Sequence, residues 1–115
     1  MKIIDIKTQD IRFPTSKDNL GTDAVHVDCD YSATYVTIFT DQKDLTGIGL
    51  TFTIGKGNDL CCTVIEYFKE FIIGKDIQDI EKNIASIWEK ITNHSQLRWV
   101  GPQKGVTHLA AAAFF

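Results

Sequence analysis

An α+β fold, a three-stranded antiparallel meander followed by a helical layer, is predicted by three observations. Apolar residues alternate at period two through the first half of the chain. The period switches to three and four after Gly55-Lys56-Gly57, and helical patterning then continues toward the chain end. With 115 residues, 43% of them hydrophobic and 23% charged, the chain has the composition of one ordinary globular domain with a single modest core.

The first strand is expected over Lys2 to Phe13, where Ile4, Ile6, Ile11 and Phe13 change phase near Thr8 and Gln9 and so suggest a bulge there. Pro14 ends it, since proline has no ladder donor. Thr15 to Asp30 is rich in Asp, Ser, Asn and Thr and reads as a long loop. A second strand, Tyr31 to Thr40, sets Val36, Ile38 and Thr40 against Tyr35, Thr37 and Phe39. After a turn over Asp41 to Gly47, a third strand puts Ile48, Leu50, Phe52 and Ile54 on one side. The meander thus has an apolar face that needs a partner layer.

That layer follows. Asn58 or Asp59 caps a helix carrying Leu60, Val64, Tyr67, Phe68 and Phe71, which Gly74 stops. Asp76 caps a second helix whose Ile77, Ile80, Ile84, Ile87, Trp88 and Ile91 form one stripe. Asn93 to Lys104 is irregular and contains Gly101-Pro102, and a third helix runs from near Gly105 to Ala113. Ala110 to Phe115 carries no stop signal, so the chain reads as cut within a helix, with Phe114 and Phe115 meant for something downstream.

No run approaches the roughly 18 apolar residues of a membrane helix, and Met1 opens directly into Lys-Ile-Ile-Asp without a secretory segment. The expectation is a soluble, intracellular protein that does not engage a membrane. Net charge −3 with no basic cluster argues against nucleic acid as a partner. The odd count of Cys29, Cys61 and Cys62 fits neither a disulfide framework nor a C-x-x-C motif, and Cys61 and Cys62 read as small apolar residues near a helix start or as a reactive vicinal thiol pair.

Several positions invite chemistry. Thr15 to Asp30 is either a solvated surface loop or a ligand flap, with Gly21 as hinge, polar Thr22, Asp23, His26, Asp28 and Asp30, and Tyr31 closing it. Gly55-Lys56-Gly57 is a tight turn before a helix cap or an anion-facing loop. His26, His94 and His108 lack metal-ligand spacing, and Asp28 with Asp30 could coordinate Mg²⁺ from a loop, although that spacing is common on surfaces. Arg98 and Trp99 form a basic-aromatic corner that packs under the loops or meets an anion.

Four stretches together resemble a known family: Arg12 to Ser16; Gly21-Thr22-Asp23-Ala24 through His26 and Asp28 to Asp30-Tyr31-Ser32-Ala33; Gly47 to Gly57; and Gln96 to Val106 with His108-Leu109-Ala110. They resemble the N-terminal region of the L-fuconate dehydratases, in the mandelate-racemase branch of the enolase superfamily, and the likeness covers nearly the whole chain. Cys29 stands where that family has Pro, and Thr22 where Ala or Ser is common.

The resemblance implies that residues 1–115 are the N-terminal capping domain, truncated before a (β/α) barrel that alone needs about 250 residues. It implies that the full-length enzyme removes the proton α to the carboxylate of an acid sugar. Mg²⁺ held by three barrel carboxylates stabilises the enediolate, and β-elimination of water converts L-fuconate to 2-keto-3-deoxy-L-fuconate. No catalytic residue and no metal ligand would then lie in this chain. Its share would be the lid: Gly21 and Thr22 through backbone groups, Asp23 accepting from sugar hydroxyls, and Tyr31 donating a hydrogen bond or covering the methyl end of a 6-deoxy sugar. Lys56 is a weaker candidate. The implied partners are the acid sugar, the chain's own barrel and, in the full-length enzyme, further subunits; the implied compartment is cytoplasmic or mitochondrial. A reading from another class is a non-catalytic interaction or regulatory module.

Overall fold

The computed structural model describes residues 1–100 and 102–115; Gly101, in the predicted irregular connection, lies outside them. Strands β1 (Ile3–Arg12), β2 (Ser32–Thr40) and β3 (Thr46–Thr53) form one antiparallel sheet in the order β1-β2-β3. Helices α1 (Asn58–Ile72), α2 (Ile77–Lys82), α3 (Ile84–Thr92) and α4 (Gly105–Phe114) follow. The core lies between sheet and helices, with Ile6 and Val36 of the sheet against Ile65 and Phe68 of α1, Ile91 of α3 and Ala110 of α4. The predicted fold class holds.

The bulge is elsewhere. Pairing of β1 with β2 runs unbroken from Asp5 to Arg12, and the register shift falls between Ile3 and Asp5, leaving Ile4 exposed. The change of phase near Thr8 has another cause: the inward position at the far end of β1 is polar. Asp10 accepts there from the Asn58 side-chain amide and from Arg12, so Ile11 takes the outer face.

A second difference concerns β3. Its apolar set lies on the face away from the helices, with Ile48 75% exposed and Phe52 54%. Inward come Gly49 and Thr51, because α4 crosses so closely that a Cβ at Gly49 would stand 2.0 Å from the Ala113 carbonyl oxygen. Small residues permit that approach, and bulky ones would forbid it.

Among the helices, Gly57 at φ +97° is the N-cap of α1, in place of the expected Asn58 or Asp59. Asn58 turns its side chain into the protein instead. Buried completely, it accepts from Thr34 and Thr53 hydroxyls at 3.0 and 2.9 Å and donates to Asp10. Asp76 does cap its helix, accepting from Gln78 N at 2.9 Å. The predicted single stripe is broken at Asn83, whose amide donates to the Asp79 carbonyl at 2.8 Å, a local bond that competes with helix continuation. Ile87 and Ile91 remain buried while Ile84 and Trp88 are exposed. Phe114, expected to face something downstream, is buried within the domain, edge-on to Phe68 at 5.4 Å. Phe115 is half exposed against Trp88.

Candidate functional site

The long loop begins as a 3₁₀ turn, Thr15–Asp18, and is fastened at its root. Phe13 N donates to the Tyr31 carbonyl at 2.9 Å, Tyr31 N donates to Thr15 Oγ1 at 3.0 Å, and that hydroxyl donates to the Cys29 carbonyl at 3.0 Å. The Asp30 carboxylate accepts from Ser16 N and Oγ, at 3.1 and 2.6 Å, which holds it below the usual carboxylate range. Asp30 N in turn donates to the Ile54 carbonyl at 3.1 Å, just past β3. Both ends of the loop are thereby joined to each other and to the sheet, the construction of an Ω-loop.

Within the loop, one Asp23 oxygen accepts from Val25 N and His26 N at 2.8 and 2.7 Å, and both its oxygens lie within 3.2 Å of the His26 ring. Led by the His26 backbone bond, these donors hold Asp23 down at about 2, so it is ionised at neutral pH. The Gly21 carbonyl accepts from the Tyr31 hydroxyl and the Cys29 thiol, each at 3.2 Å. Gly21 is left-handed, φ +73°, and a Cβ there would stand 1.9 Å from the Tyr31 hydroxyl oxygen. Only glycine fits beneath that ring.

Three of the four sequence-predicted residues meet at one cleft. Gly21, Asp23 and Tyr31 line a cavity of about 160 Å³ together with His26, Cys29, Phe52 and Ile54. Thr22 is not among its walls; its hydroxyl donates to the Asn19 carbonyl at 3.0 Å. Phe52 and Ile54 escaped sequence reasoning, although their place in the alternation carried the signal. Ser32 pairs with Thr53, so the neighbouring Tyr31 stands on the outer face with Phe52, ring centroids 5.5 Å apart.

A second cleft, about 470 Å³, opens between the loop root and the turn after β3, lined by Arg12, Ser16, Asp28, Cys29, Asp30, Ile54, Gly55 and Lys56. Arg12 is occupied there by Asp10, to which it donates twice, and by Asp59 at 3.2 Å. Asp10 is accordingly held below its ordinary range, chiefly by Arg12 and then by Asn58. Lys56 shares this cleft with Asp28 and Asp30, so its charges oppose one another.

Elsewhere, His94 accepts from Gln96 N and Leu97 N, His108 lies edge-on to Trp88, and Arg98 sits over its own neighbour Trp99, which is largely exposed. Cys61 is buried, which pushes its thiol up and away from reactivity, and Cys62 points at Thr34. No three His, Cys, Asp or Glu converge as metal ligands among the described residues. The Asp28 and Asp30 pair fits magnesium poorly, since the Asp30 carboxylate already holds two Ser16 donors. No helix among the described residues is long and apolar enough to cross a membrane.

No protein-family profile matches the chain. Individual proteins do. It is 47% identical over 113 residues to mitochondrial enolase superfamily member 1 of Xenopus laevis, covering 97% of this chain and 25% of that protein. It is 43% identical over 111 residues to L-galactonate dehydratase of Hypocrea jecorina, covering 96% of this chain and 24% of that one. The crystal structure of human mitochondrial enolase superfamily member 1 superposes with a TM-score of 0.90 at 43% identity, over 98% of this chain and 26% of that one. A mandelate racemase/muconate lactonizing enzyme from Polaromonas sp. JS666 shares the fold, with a TM-score of 0.65 at 18% identity over 98% of this chain and 27% of that one. The chain thus spans about a quarter of the length of the relatives it matches. By sequence and by fold, it is similar to about a quarter of the length of the enolase-superfamily proteins it matches, and it has the fold of the N-terminal capping domain of that superfamily.

Proposed function

We propose that this chain is the capping domain of an acid-sugar dehydratase of the L-fuconate dehydratase type, and that it supplies the substrate lid. One observation carries the reading: Gly21, Asp23 and Tyr31 converge on a single cleft whose other wall is apolar. The ionised Asp23 accepts from sugar hydroxyls, while the ring of Tyr31, with its hydroxyl spent on Gly21, covers the apolar end of the substrate. Such a lid excludes water and selects substrate. Bond breaking belongs to a barrel outside this chain, and the Mg²⁺ ligands with it. The 115-residue chain is therefore inactive alone. Two substrates are candidates: L-fuconate, from the sequence resemblance, and L-galactonate, from the name of one relative; they differ only in whether C6 is a methyl or a hydroxymethyl. The compartment is intracellular, and the relatives' name favours the mitochondrion over the cytoplasm.

In the full-length enzyme, Asp23→Ala lowers kcat/KM for the acid sugar by roughly tenfold or more, and Tyr31→Phe by a few-fold, with Mg²⁺ affinity unchanged in both. Steady-state kinetics with a magnesium titration measures this. Unaltered kinetics in both variants sinks the lid assignment, and dehydration by residues 1–115 alone sinks the division of labour.

The second reading, a non-catalytic interaction or regulatory module, draws on the exposed outer face of β3, where Ile48, Leu50 and Phe52 stand in a row. It requires that no acid sugar be turned over by any form of the protein.

A further inference from the structure

We infer that Phe52 is a specificity-determining residue, the wall against which the C6 end of the acid sugar rests, and that it favours a 6-deoxy substrate over its 6-hydroxy analogue. This rests on the dehydratase reading above. The cleft between lid and sheet, about 160 Å³, is half the lower limit of roughly 300 Å³ usual for small-molecule pockets, so it receives one end of a ligand. Its lid side is polar, with Asp23 and His26; its sheet side is Phe52 and Ile54, with the Tyr31 ring edge-on to Phe52 at 5.5 Å. The Tyr31 hydroxyl spends its proton on the Gly21 carbonyl. A hydroxymethyl turned to the Phe52 and Ile54 side loses water there and meets no polar group of that wall; a methyl loses nothing.

Phe52 is 54% exposed, so its replacement spares the core. The full-length enzyme and its Phe52→Thr and Phe52→Leu variants are assayed on L-fuconate and on L-galactonate. Apolar pockets reject an added hydroxyl by up to about a hundredfold. Phe52→Thr is expected to lower the kcat/KM ratio of fuconate to galactonate at least about fivefold, and Phe52→Leu, still apolar, to hold it within about twofold. A merely structural role would depress both substrates together and leave the ratio alone. An unchanged ratio in Phe52→Thr overturns the inference while the dehydratase reading stands. Turnover of neither acid by the unsubstituted enzyme overturns both.

Discussion

At the scale of single residues, the lid depends on a missing side chain. Gly21 accepts two hydrogen bonds on its carbonyl while its α-carbon lies under the Tyr31 ring at φ +73°. Gly21→Ala therefore meets two costs, about 1 kcal/mol for a left-handed alanine and a clash that swings the Tyr31 ring away. The clash meets the far end of an exposed side chain, which can move, so global stability should fall by no more than about 2 kcal/mol. The local effect is larger: nuclear Overhauser contacts between the Tyr31 and Phe52 rings should vanish in Gly21→Ala. Their persistence would mean that the ring is held by something other than the glycine carbonyl. Sequence reading placed Gly21 in the loop and Tyr31 just after it without pairing them, because a contact between residues ten apart across an aperiodic segment leaves no pattern. Asp23 shows the same limit. Its acidity suggested a group facing substrate, but the turn it forms with Val25 and His26 depends on backbone geometry that composition does not specify.

At the scale of elements, alternation identified three strands and the change of period identified the helical layer, since both follow from burial on one side. The face of β3 was misread, because apolar count was taken as the sign of the core. Close approach decided instead: α4 takes the side bearing glycine and threonine, and the Ala113 carbonyl oxygen occupies the space a Cβ on Gly49 would need. Gly49→Ala must then push α4 off the sheet, since backbone lies on both sides of the clash. Overpacking of this kind costs about 1–3 kcal/mol, and a rigid backbone partner puts the substitution at the upper end. Urea denaturation should show a lowered midpoint for Gly49→Ala, whereas Ile48→Thr, on the exposed side of the same strand, should lie within about 0.5 kcal/mol of the parent. Equal effects would place the helix on the wrong face. Polar burial was as hard to foresee: Asn58 resembles a helix cap in sequence, yet its buried side chain bonds to Thr34, Thr53 and Asp10, tying β1, β2, β3 and α1 into one unit.

At the scale of the whole molecule, the layers are unequally covered. Helices close one face of the sheet, while the other carries Ile48, Leu50, Phe52 and Ile54 in continuous exposure, with Tyr35 and Phe39 beside them on β2. Monomeric proteins seldom leave so regular an apolar row open to water. In a relative four times as long, other chain has the opportunity to shield it; residues 1–115 on their own do not. The isolated chain should therefore bind a hydrophobic dye and self-associate with rising concentration, read by fluorescence and sedimentation velocity. Ile48→Lys with Leu50→Glu should suppress both, with folding stability held within about 1 kcal/mol because neither side chain enters the core. Another exposed apolar cluster, Ile84, Trp88 and Phe115, supplies the control. If charging the sheet leaves dye binding intact while Trp88→Ser abolishes it, the open surface that matters is on the helices, and the sheet is fit for water as it stands.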